Sequence, residues 1–497
     1  MALEFDPYSV LGVSADASVD DIKAAYRRIA RRLHPDVNPN HLGAKAQFQD
    51  VTSAQDLLLD PLKRRTYDER AARQADSDGL YYSLQLTPSK RTITPLKEPQ
   101  VLYLLAEIFP DPRAQESIKT RETRLNLTLV LDHSNSMKGV RMEKVKIAAH
   151  QIIDNLADAD IISVIAFNDR ATTVIAATTA QDKPALKAKV SMIAPSGGTE
   201  IFQGLNEGVK QNRQFLGPKL VNHVILLTDG HTYGDQEKCV ELASQANTEG
   251  ISISAMGLGN DWNDEFLDEL ASKTGGNSMY IDSANSVVRF LNDHVRNLSN
   301  AFAERLSLSI APDPDVQLEL AFKLSPHPQP LDFATGIIPL GSMQANRPVS
   351  VLFQLQMPGE MKDGFRSIAR LVASGDILEN EVQHMQIVSD ISLEVTQQQT
   401  HDEPPSAILD ALSKLTLYRL QERAQEALER GDVAEATRRL ENLATRLLER
   451  GEEGLANQAL LEARRVAHTS GLSDKGRKAL KYQTRHLLLS SSNEDPT

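Results

Sequence analysis

The chain has little cysteine, no long apolar run and no excess of positive charge. Cys239 is the only cysteine among 497 residues, so no disulfide can form within the chain and a reducing compartment is expected. No apolar run approaches the roughly 20 residues that cross a bilayer. The formal net charge of −13 argues against bulk binding to nucleic acids or anionic membranes. These absences favour a reduced protein that binds neither nucleic acid nor membrane.

The signature motifs of several enzyme classes are also absent. Neither a Gly-x-x-x-x-Gly-Lys-Ser/Thr P-loop nor a Gly-x-Ser-x-Gly nucleophile elbow occurs in the sequence. Gly257-Leu258-Gly259 follows an apolar stretch, but the third glycine of a dinucleotide-binding turn is missing. Residues 1–6 lack the basic and apolar regions of a signal peptide. We therefore expect a cytoplasmic protein that is not an enzyme.

The most informative stretch is an apolar run that ends abruptly in oxygen-bearing side chains. Residues 125–131 are rich in branched side chains and predict a buried strand. Asp132, Ser134 and Ser136 follow with the spacing Asp-x-Ser-x-Ser, and a helical pattern covers 142–156. Side chains on the loop after a buried parallel strand lie where open α/β sheets bind their ligands. Alone, the motif also fits a polar turn that caps the next helix.

Two later segments favour ligand binding over a simple turn. Gly197-Gly198-Thr199 precedes a helical pattern, and a second apolar strand, 221–228, ends in Asp229-Gly230. Together with the Asp-x-Ser-x-Ser motif, these segments resemble the metal-ion-dependent adhesion site of the von Willebrand factor type A family. The resemblance covers residues 125–302 and implies that this region folds as a type A domain.

The resemblance also implies a set of metal ligands. Ser134 and Ser136 would bind the ion directly, Thr199 directly or through one water, and Asp132 and Asp229 would supply charge, partly through bound water. The expected ion is Mg²⁺, with Mn²⁺ as the alternative, because hard cations prefer oxygen ligands. Two carboxylates roughly balance a divalent ion, so an open coordination position can still attract an acidic residue of a partner protein.

The motif departs from the family at Asn135, where glycine is customary. Asparagine tolerates left-handed backbone geometry better than most residues, so we expect the site to be intact. His133 is expected to pack behind the loop rather than to bind the ion. A metal-dependent hydrolase built on Asp132 and Asp229 stays open as an alternative. Ser134 stands where a haloacid-dehalogenase-type phosphatase would need a second aspartate.

The N-terminal region predicts a small helical hairpin. Apolar residues recur at helical spacing from Ile22 to Leu33, and basic residues occupy the rest of the circumference. This helix must end at His34-Pro35-Asp36, since Pro35 lacks an amide hydrogen and disfavours helical geometry in the residue before it. A second helical pattern covers residues 44–59.

This arrangement resembles the J-domain of the DnaJ family, over residues 1–75. The resemblance implies that His34, Pro35 and Asp36 stimulate ATP hydrolysis by a DnaK-type chaperone. Such domains dock through a basic face that steers an acidic partner surface, and the interaction weakens as salt is added. Arg31 would be a charge additional to this face. The Gly/Phe-rich linker and zinc repeats of full DnaJ proteins do not follow, so client choice must come from other domains. The residues assigned to the docking face are Lys23, Arg27, Arg28 and Arg32.

The remaining segments predict a β-sandwich and a helical bundle. Strand patterns at 81–86 and 101–109 are too few to fold alone, so we expect them to pair with the five strand patterns found between residues 306 and 395. The type A domain would then be inserted in that sandwich. Its alternating strands and helices predict a parallel, doubly wound, Rossmann-like sheet. The Ala-, Leu-, Glu- and Arg-rich helices after residue 401 predict a bundle, with a tetratricopeptide-like groove as the alternative.

The predicted fold class is therefore multi-domain, because 497 residues exceed one ordinary core. The function predicted is that of a non-enzymatic co-chaperone, whose J-domain stimulates a DnaK-type chaperone while the type A domain holds a protein client. An adhesion scaffold with an inactive J-domain and a metal-dependent hydrolase are the alternatives. The predicted segments are a J-domain (1–75), a hinge with the first sandwich strands (76–124), the type A domain (125–302), the rest of the β-sandwich (303–400), a helical bundle (401–490) and a disordered tail (491–497).

Overall fold

The computed structural model describes most of the chain. Outside the N-terminal region its main elements are strands, with helices between and after them. The described residues are 7–11, 18–33, 42–61, 63–65, 81–111, 124–217, 219–232, 234–378, 382–397 and 404–487. The strands are β1 (Tyr82–Pro88), β2 (Thr92–Ile93), β3 (Gln100–Pro110), β4 (Arg124–Asp132), β5 (Ile161–Phe167), β6 (Ala171–Thr179), β7 (Leu220–Thr228), β8 (Ser252–Leu258), β9 (Ser278–Ile281), β10 (Ala301–Pro312), β11 (Gln317–Ser325), β12 (Gln329–Pro330), β13 (Ile337–Gln344), β14 (Val349–Met357), β15 (Gly364–Leu378) and β16 (Val382–Val395).

The helices fall into three groups, at the N-terminus, around a central sheet and at the C-terminus. None of those in the described residues is long and apolar enough to cross a membrane. They are α1 (Pro7–Leu11), α2 (Val19–Leu33), α3 (Leu42–Leu59), α4 (Val140–Asn155), α5 (Lys183–Ser191), α6 (Ile201–Asn212), α7 (Gln236–Thr248), α8 (Asp264–Ser272), α9 (Ala284–Ser299), α10 (Ser406–Glu429), α11 (Val433–Glu449), α12 (Glu453–Thr469) and α13 (Asp474–Leu487).

The N-terminal helices form the predicted hairpin. Ile22 and Ala25 of α2 are buried against Val51, Ala54 and Leu58 of α3, so the apolar spacing of each helix faces the other. This small core is separate from the other cores of the chain. The His34-Pro35-Asp36 segment lies outside the described residues.

The central sheet has six strands in the order β6-β5-β4-β7-β8-β9. Strands β5, β4, β7, β8 and β9 are parallel, and helices cover both faces of the sheet. Side chains of β4 alternate between the two covered faces, with Leu129 and Leu131 on one and Val130 on the other. Burial on both faces explains why β4 and β7 are continuous apolar runs. The alternation of strands and helices predicted this layering.

One edge of the sheet differs from the prediction of a wholly parallel sheet. Strand β6 runs antiparallel to β5. Only residues 168–170 separate the two strands, and a connection of that length makes a hairpin, whereas a parallel pairing needs a crossover of a dozen residues or more.

Two further five-stranded sheets combine strands from before and after the central sheet. Their orders are β1-β3-β14-β11-β12 and β13-β10-β15-β16-β2. Buried residues of both sheets, such as Leu104 of β3 and Leu371 of β15, belong to one hydrophobic core. The expected pairing of early with late strands is seen in β3, which pairs with β14. The sequence patterns missed β13, whose irregular pairing with β10 contains register shifts.

The C-terminal helices pack around their own core and also contact the sheets. Helices α10 to α13 share buried leucines and alanines, and α10 also covers the outer face of β3, β11 and β14 through Ile408 and Tyr418. Helix α13 reaches the central-sheet region, where Ala479 and Tyr482 enter the core that includes Trp262 and Phe266.

Buried ion pairs attach α13 to α8. The Arg485 guanidinium donates two hydrogen bonds, of 2.9 and 2.7 Å, to the Asp268 carboxylate, and Lys481 lies 2.9 Å from the same group. Burial alone would raise the pKa of Asp268, but Arg485 and Lys481 hold it far below its ordinary value. Lys481 and Arg477 also pair with Asp264.

We expect Asp268→Asn to lower the free energy of unfolding by about 3–5 kcal/mol, because it leaves the buried Arg485 without its counter-charge. Urea unfolding can be followed by the fluorescence of Trp262, the only tryptophan of the chain, whose ring lies under the Lys478 ammonium of α13. Asp293→Asn is the matched control, since its ion pair with Arg296 is exposed and should change stability by less than about 0.5 kcal/mol. Equal unfolding midpoints for the two variants would contradict this assignment.

Candidate metal centre

Two parallel neighbouring strands bring the two predicted carboxylates together. Strand β4 pairs with β7 in a register that sets Leu131 opposite Leu227, so the strands end side by side. Asp132 is the last residue of β4, and Asp229 directly follows β7. Both aspartates are buried, at 0% and 1% exposure. The prediction that both would lie at the carboxyl edge of the sheet agrees with this placement.

The Asp132 carboxylate accepts hydrogen bonds from its own loop and from the end of β7. Oδ1 accepts from the backbone N–H of Ser134 at 2.8 Å, and Oδ2 accepts from the Thr228 hydroxyl at 2.7 Å. Burial raises the pKa of Asp132, while these hydrogen bonds oppose the rise and nearby Asp229 adds to it. A cation close to the two carboxylates would offset this cost of burying charge.

The two serines connect the Asp132 loop to Asp229. Ser134 Oγ lies 2.9 Å from Ser136 Oγ, and the Ser136 hydroxyl donates to Asp229 Oδ1 at 2.6 Å. Ser134 is buried with 2% exposure, whereas Ser136 faces solvent. The hydroxyls and the Asp229 carboxylate therefore form a continuous row of oxygens that reaches the surface.

The loop carrying Thr199 closes over the same edge. Its backbone is tied to the Asp132 loop by hydrogen bonds from Asn135 N to Gly197 O (3.1 Å) and from Ser196 N to His133 O (2.7 Å). Thr199 Oγ1 lies beside Gly230, where a Cβ atom would stand only 3.1 Å away from it. The three predicted segments thus converge, and Gly230 leaves room for the threonine hydroxyl.

Arg141 is a member of the site that the sequence patterns did not identify. Its guanidinium donates to Asp229 Oδ2 at 2.5 Å and to the Ser136 carbonyl at 3.3 Å, and its side chain is 36% exposed. It also approaches Gly259, at the carboxyl end of β8. Arg141 lies in the first turn of α4, where a basic residue looks like part of a solvated face. Its contact with Asp229, 88 residues away in sequence, cannot be read from local spacing.

The two less regular residues of the motif have separate structural accounts. Asn135 begins a short 3₁₀ helix, Asn135–Met137. Its φ is not positive, so the loop does not need the left-handed geometry that asparagine tolerates. His133 Nδ1 lies 3.0 Å from the Ala194 carbonyl, behind the loop, and Nε2 is buried without a hydrogen-bond partner.

The donor set fits a hard divalent cation. Its members are two carboxylates and three hydroxyls, which are oxygen ligands of the kind that Mg²⁺ and Mn²⁺ accept. In the described part of the chain, no group of three or more His, Cys, Asp and Glu side chains is placed to hold a metal ion. Any cation at this edge would therefore depend on serine and threonine hydroxyls as well as on Asp132 and Asp229.

The residues assigned to chaperone docking are described in part. Lys23 and Arg27 are exposed on α2, one helical turn apart. Arg28 and Arg32 belong to the same helix, and their side chains are not among the described groups. His34, Pro35 and Asp36 fall outside the described residues, so their predicted roles stay predictions.

Comparison with known families identifies three regions of the chain. The model of the DnaJ domain matches residues 6–68, and the model of the von Willebrand factor type A domain matches residues 126–294. A third model, described as the Sll0103-like C-terminal alpha-helical domain, matches residues 406–490. The residues between the second and third matches include β10 to β16.

Individual proteins match parts of the chain. An uncharacterized protein of Synechocystis, sll0103, is 32% identical over 201 residues, which are 40% of this chain and 48% of that protein. Chaperone protein DnaJ 2 of Mycolicibacterium paratuberculosis is 52% identical over 67 residues, or 14% of this chain and 17% of that protein. The chain thus matches less than half the length of each of these relatives.

A solved structure shares the fold over a longer region. A von Willebrand factor type A protein from Catenulispora acidiphila aligns with a TM-score of 0.64 and 16% identity, covering 81% of this chain and 96% of its own. At this identity the likeness concerns the fold alone. It extends well beyond the 169 residues of the type A match and so includes the neighbouring sheets or helices.

Proposed function

Because the chain joins a DnaJ domain to a von Willebrand factor type A domain, we propose that it is an adaptor co-chaperone. Its J-domain recruits a DnaK-type chaperone and stimulates ATP hydrolysis through His34, Pro35 and Asp36. Its type A domain holds a partner protein through a Mg²⁺ or Mn²⁺ ion. The two activities together bring the chaperone to one selected protein or complex.

The observation that carries the adhesion half is the convergence of three distant loops at one sheet edge. The hydroxyls of Ser134 and Ser136 and the Asp229 carboxylate are already in hydrogen-bond contact, with Thr199 beside them. When bound, the cation would supply positive charge and an open position for a carboxylate of the partner. Asp132 would act mainly by orienting Ser134 and by its charge, since its oxygens are engaged by Ser134 and Thr228.

The recruiting half rests on the match to the DnaJ domain and on α2. Lys23 and Arg27 present positive charge on the exposed side of α2, and Ile22 and Ala25 lie on its buried side. A net charge of −13 for the whole chain makes this basic face a local exception, which suits steering of an acidic surface. The same composition, with one cysteine, supports a cytoplasmic location.

We further propose that the two five-stranded sheets are one β-sandwich into which the type A domain is inserted. Their shared core and the pairing of β3 with β14 support this arrangement. Insertion connects the type A domain to the sandwich at both of its ends, through β3 and β10. The sandwich would then hold the type A domain at both of its ends.

Arg141 competes with the cation for Asp229. Its guanidinium already neutralises Oδ2, so a divalent ion must share or displace it. We expect Arg141→Met to tighten Mg²⁺ binding by about three- to tenfold, which corresponds to removing a like charge of roughly 1 kcal/mol at a well-solvated edge. Isothermal titration with Mg²⁺ measures this change directly.

The matched control is Lys189→Met, because Lys189 is an exposed cation near the end of α5. The Lys189→Met chain should bind Mg²⁺ with the same affinity as the unaltered chain. If Arg141→Met weakens Mg²⁺ binding instead, Arg141 orients Asp229 for the ion rather than competing with it.

Assembly of a ternary complex tests the adaptor function as a whole. A partner protein that the chain retains in Mg²⁺ should in turn retain the DnaK-type chaperone when ATP is present. His34→Gln should lose the chaperone and keep the partner, and Ser134→Ala should lose the partner and keep chaperone stimulation. Loss of both activities in either single variant would contradict two separable binding sites.

A further inference from the structure

A second polar site lies at the opposite edge of the central sheet, where it meets the five-stranded sheets. A small cavity opens there to solvent. From the central-sheet region it is lined by the starts of β7 and β8, the turn 275–277 and the C-terminal half of α9; β11, β13 and the turn 326–327 complete it. Because β4, β7 and β8 are parallel, this edge is the far one from Asp132 and Asp229.

The charge that lines this cavity has one sign. Lys323 projects from β11 and is 2% exposed, and none of the lining residues is an aspartate or a glutamate. Its ammonium donates to the Leu340 carbonyl at 3.0 Å, and no carboxylate among the described residues pairs with it. Burial lowers the pKa of Lys323 to about 8. A buried ammonium with unused donors and no counter-ion is costly unless an anion reaches it.

Small polar side chains line the same cavity as Lys323. Ser252 and Ser342 line the cavity from its two sides. Asn277 lines it as well, and its Oδ1 is buried without a hydrogen-bond partner. Turning the Asn277 amide over would place its NH₂ group where Oδ1 stands, and the two orientations have the same shape. Hydroxyl, amide and ammonium groups that line one cavity are donors of the kind that bind an oxyanion in proteins.

Three imidazoles also line the cavity, and two of them, His223 and His294, contact each other. His223 Nε2 lies 2.9 Å from Ser254 Oγ and 3.3 Å from His294 Nε2. Burial lowers the pKa of His223 well below its ordinary value and that of His294 to about 4, so both are neutral at pH 7. A divalent cation here would face the Lys323 ammonium with no carboxylate to balance it. The lining therefore favours an anion over a metal ion.

We propose that this cavity binds a small phosphate-type oxyanion, held by the Lys323 ammonium together with the Ser252, Ser342 and Asn277 side chains. The ligand class covers inorganic phosphate and a phosphate monoester small enough to enter. Such an anion would contact both the central-sheet region and the five-stranded sheets, whose backbones already touch where Gly275 meets Gly341. Its binding would therefore strengthen the contact between these two parts of the chain.

Isothermal titration of the full chain with inorganic phosphate tests the proposal. The protein is first freed of divalent ions with a chelator and dialysed, so that no metal at the Asp132 edge can bind the phosphate. We expect one phosphate per chain, and we expect Lys323→Met to weaken it by at least about tenfold. Ser342→Ala should weaken it by a smaller factor. Lys362→Met, which removes an exposed lysine, is the matched control and should bind phosphate as the unaltered chain does.

Three results would overturn the proposal. The first is the absence of saturable phosphate binding by the unaltered chain, and the second is equal phosphate affinity for the Lys323→Met and Lys362→Met chains. The third is Zn²⁺ binding that depends on His223 and His294 with no phosphate binding, which would make the cavity a metal site. A titration with glycerol phosphate then distinguishes a monoester ligand from inorganic phosphate, according to which binds more tightly.

Discussion

The His34→Gln chain should fail to stimulate ATP hydrolysis by a DnaK-type chaperone, whereas the unaltered chain should raise the steady-state rate. Residues 6–68 match the DnaJ domain, and the proposed function assigns stimulation to the His34-Pro35-Asp36 segment that follows the basic helix. Glutamine keeps the size and polarity of the imidazole and leaves the hairpin core of Ile22, Ala25 and Leu58 untouched. The expected effect is therefore a complete loss of stimulation without unfolding.

The basic helix offers a matched pair of variants for the same assay. Arg27→Gln removes a charge assigned to the docking face and should raise the chain concentration needed for half-maximal stimulation. Arg31→Gln removes a charge that lies outside that set and should behave as the unaltered chain. Added salt should weaken the unaltered chain and leave Arg27→Gln less affected, because the lost contact is electrostatic. If the unaltered chain never stimulates a cognate chaperone, the J-domain is inactive and only the scaffold alternative survives.

Ser134→Ala should abolish the Mg²⁺-dependent capture of partner proteins. Its hydroxyl is buried, lies 2.9 Å from that of Ser136, and is one of the two serine hydroxyls expected to bind the ion directly. Loss of a group that merely orients a metal ligand lowers metal affinity by about 10–100-fold, so removal of a direct ligand should cost at least as much. Immobilised chain in Mg²⁺ should retain partners that are lost with a chelator and with the alanine variant.

The control for capture is Ser244→Ala. The Ser244 hydroxyl bonds only to the Val240 carbonyl of its own helix, on an exposed surface away from the metal edge. Its removal should leave capture unchanged. Partners that remain bound in chelator and to Ser134→Ala would show that the chain holds them through another surface, and the metal would then have no part in adhesion.

The proximity of Asp132 and Asp229 could be predicted because it follows from strand order, whereas the approach of Thr199 was implied only by the resemblance to the type A family. Two apolar runs that each end in an aspartate are readable in the sequence, and parallel pairing places their ends at one edge. The helix bounds after residue 401 were also readable to within a few residues, since Gly431 and Gly451 separate clear amphipathic patterns.

Other features were not readable because they depend on contacts between distant residues. Nothing in the spacing around Arg141 indicates that it pairs with Asp229 rather than with solvent. Likewise, the ion pair of Arg485 with Asp268 joins residues 217 positions apart, and both have exposed-looking sequence surroundings. The antiparallel direction of the edge strand β6 was not predicted, because an apolar pattern does not reveal the direction of a strand. From its sequence surroundings Lys323 looks like a solvent-facing residue of its strand, although it is buried.

The proposed adhesion site requires that one cation joins the three loops at the Asp132 edge. Anomalous diffraction of a crystal of the full chain grown with Mn²⁺ measures this directly. We expect one anomalous peak within about 2.0–2.3 Å of the Ser134 and Ser136 hydroxyl oxygens, next to Asp229 and Thr199. A crystal in which Mn²⁺ binds elsewhere, while Arg141 still occupies Asp229 and the serine hydroxyls bind no ion, would contradict it.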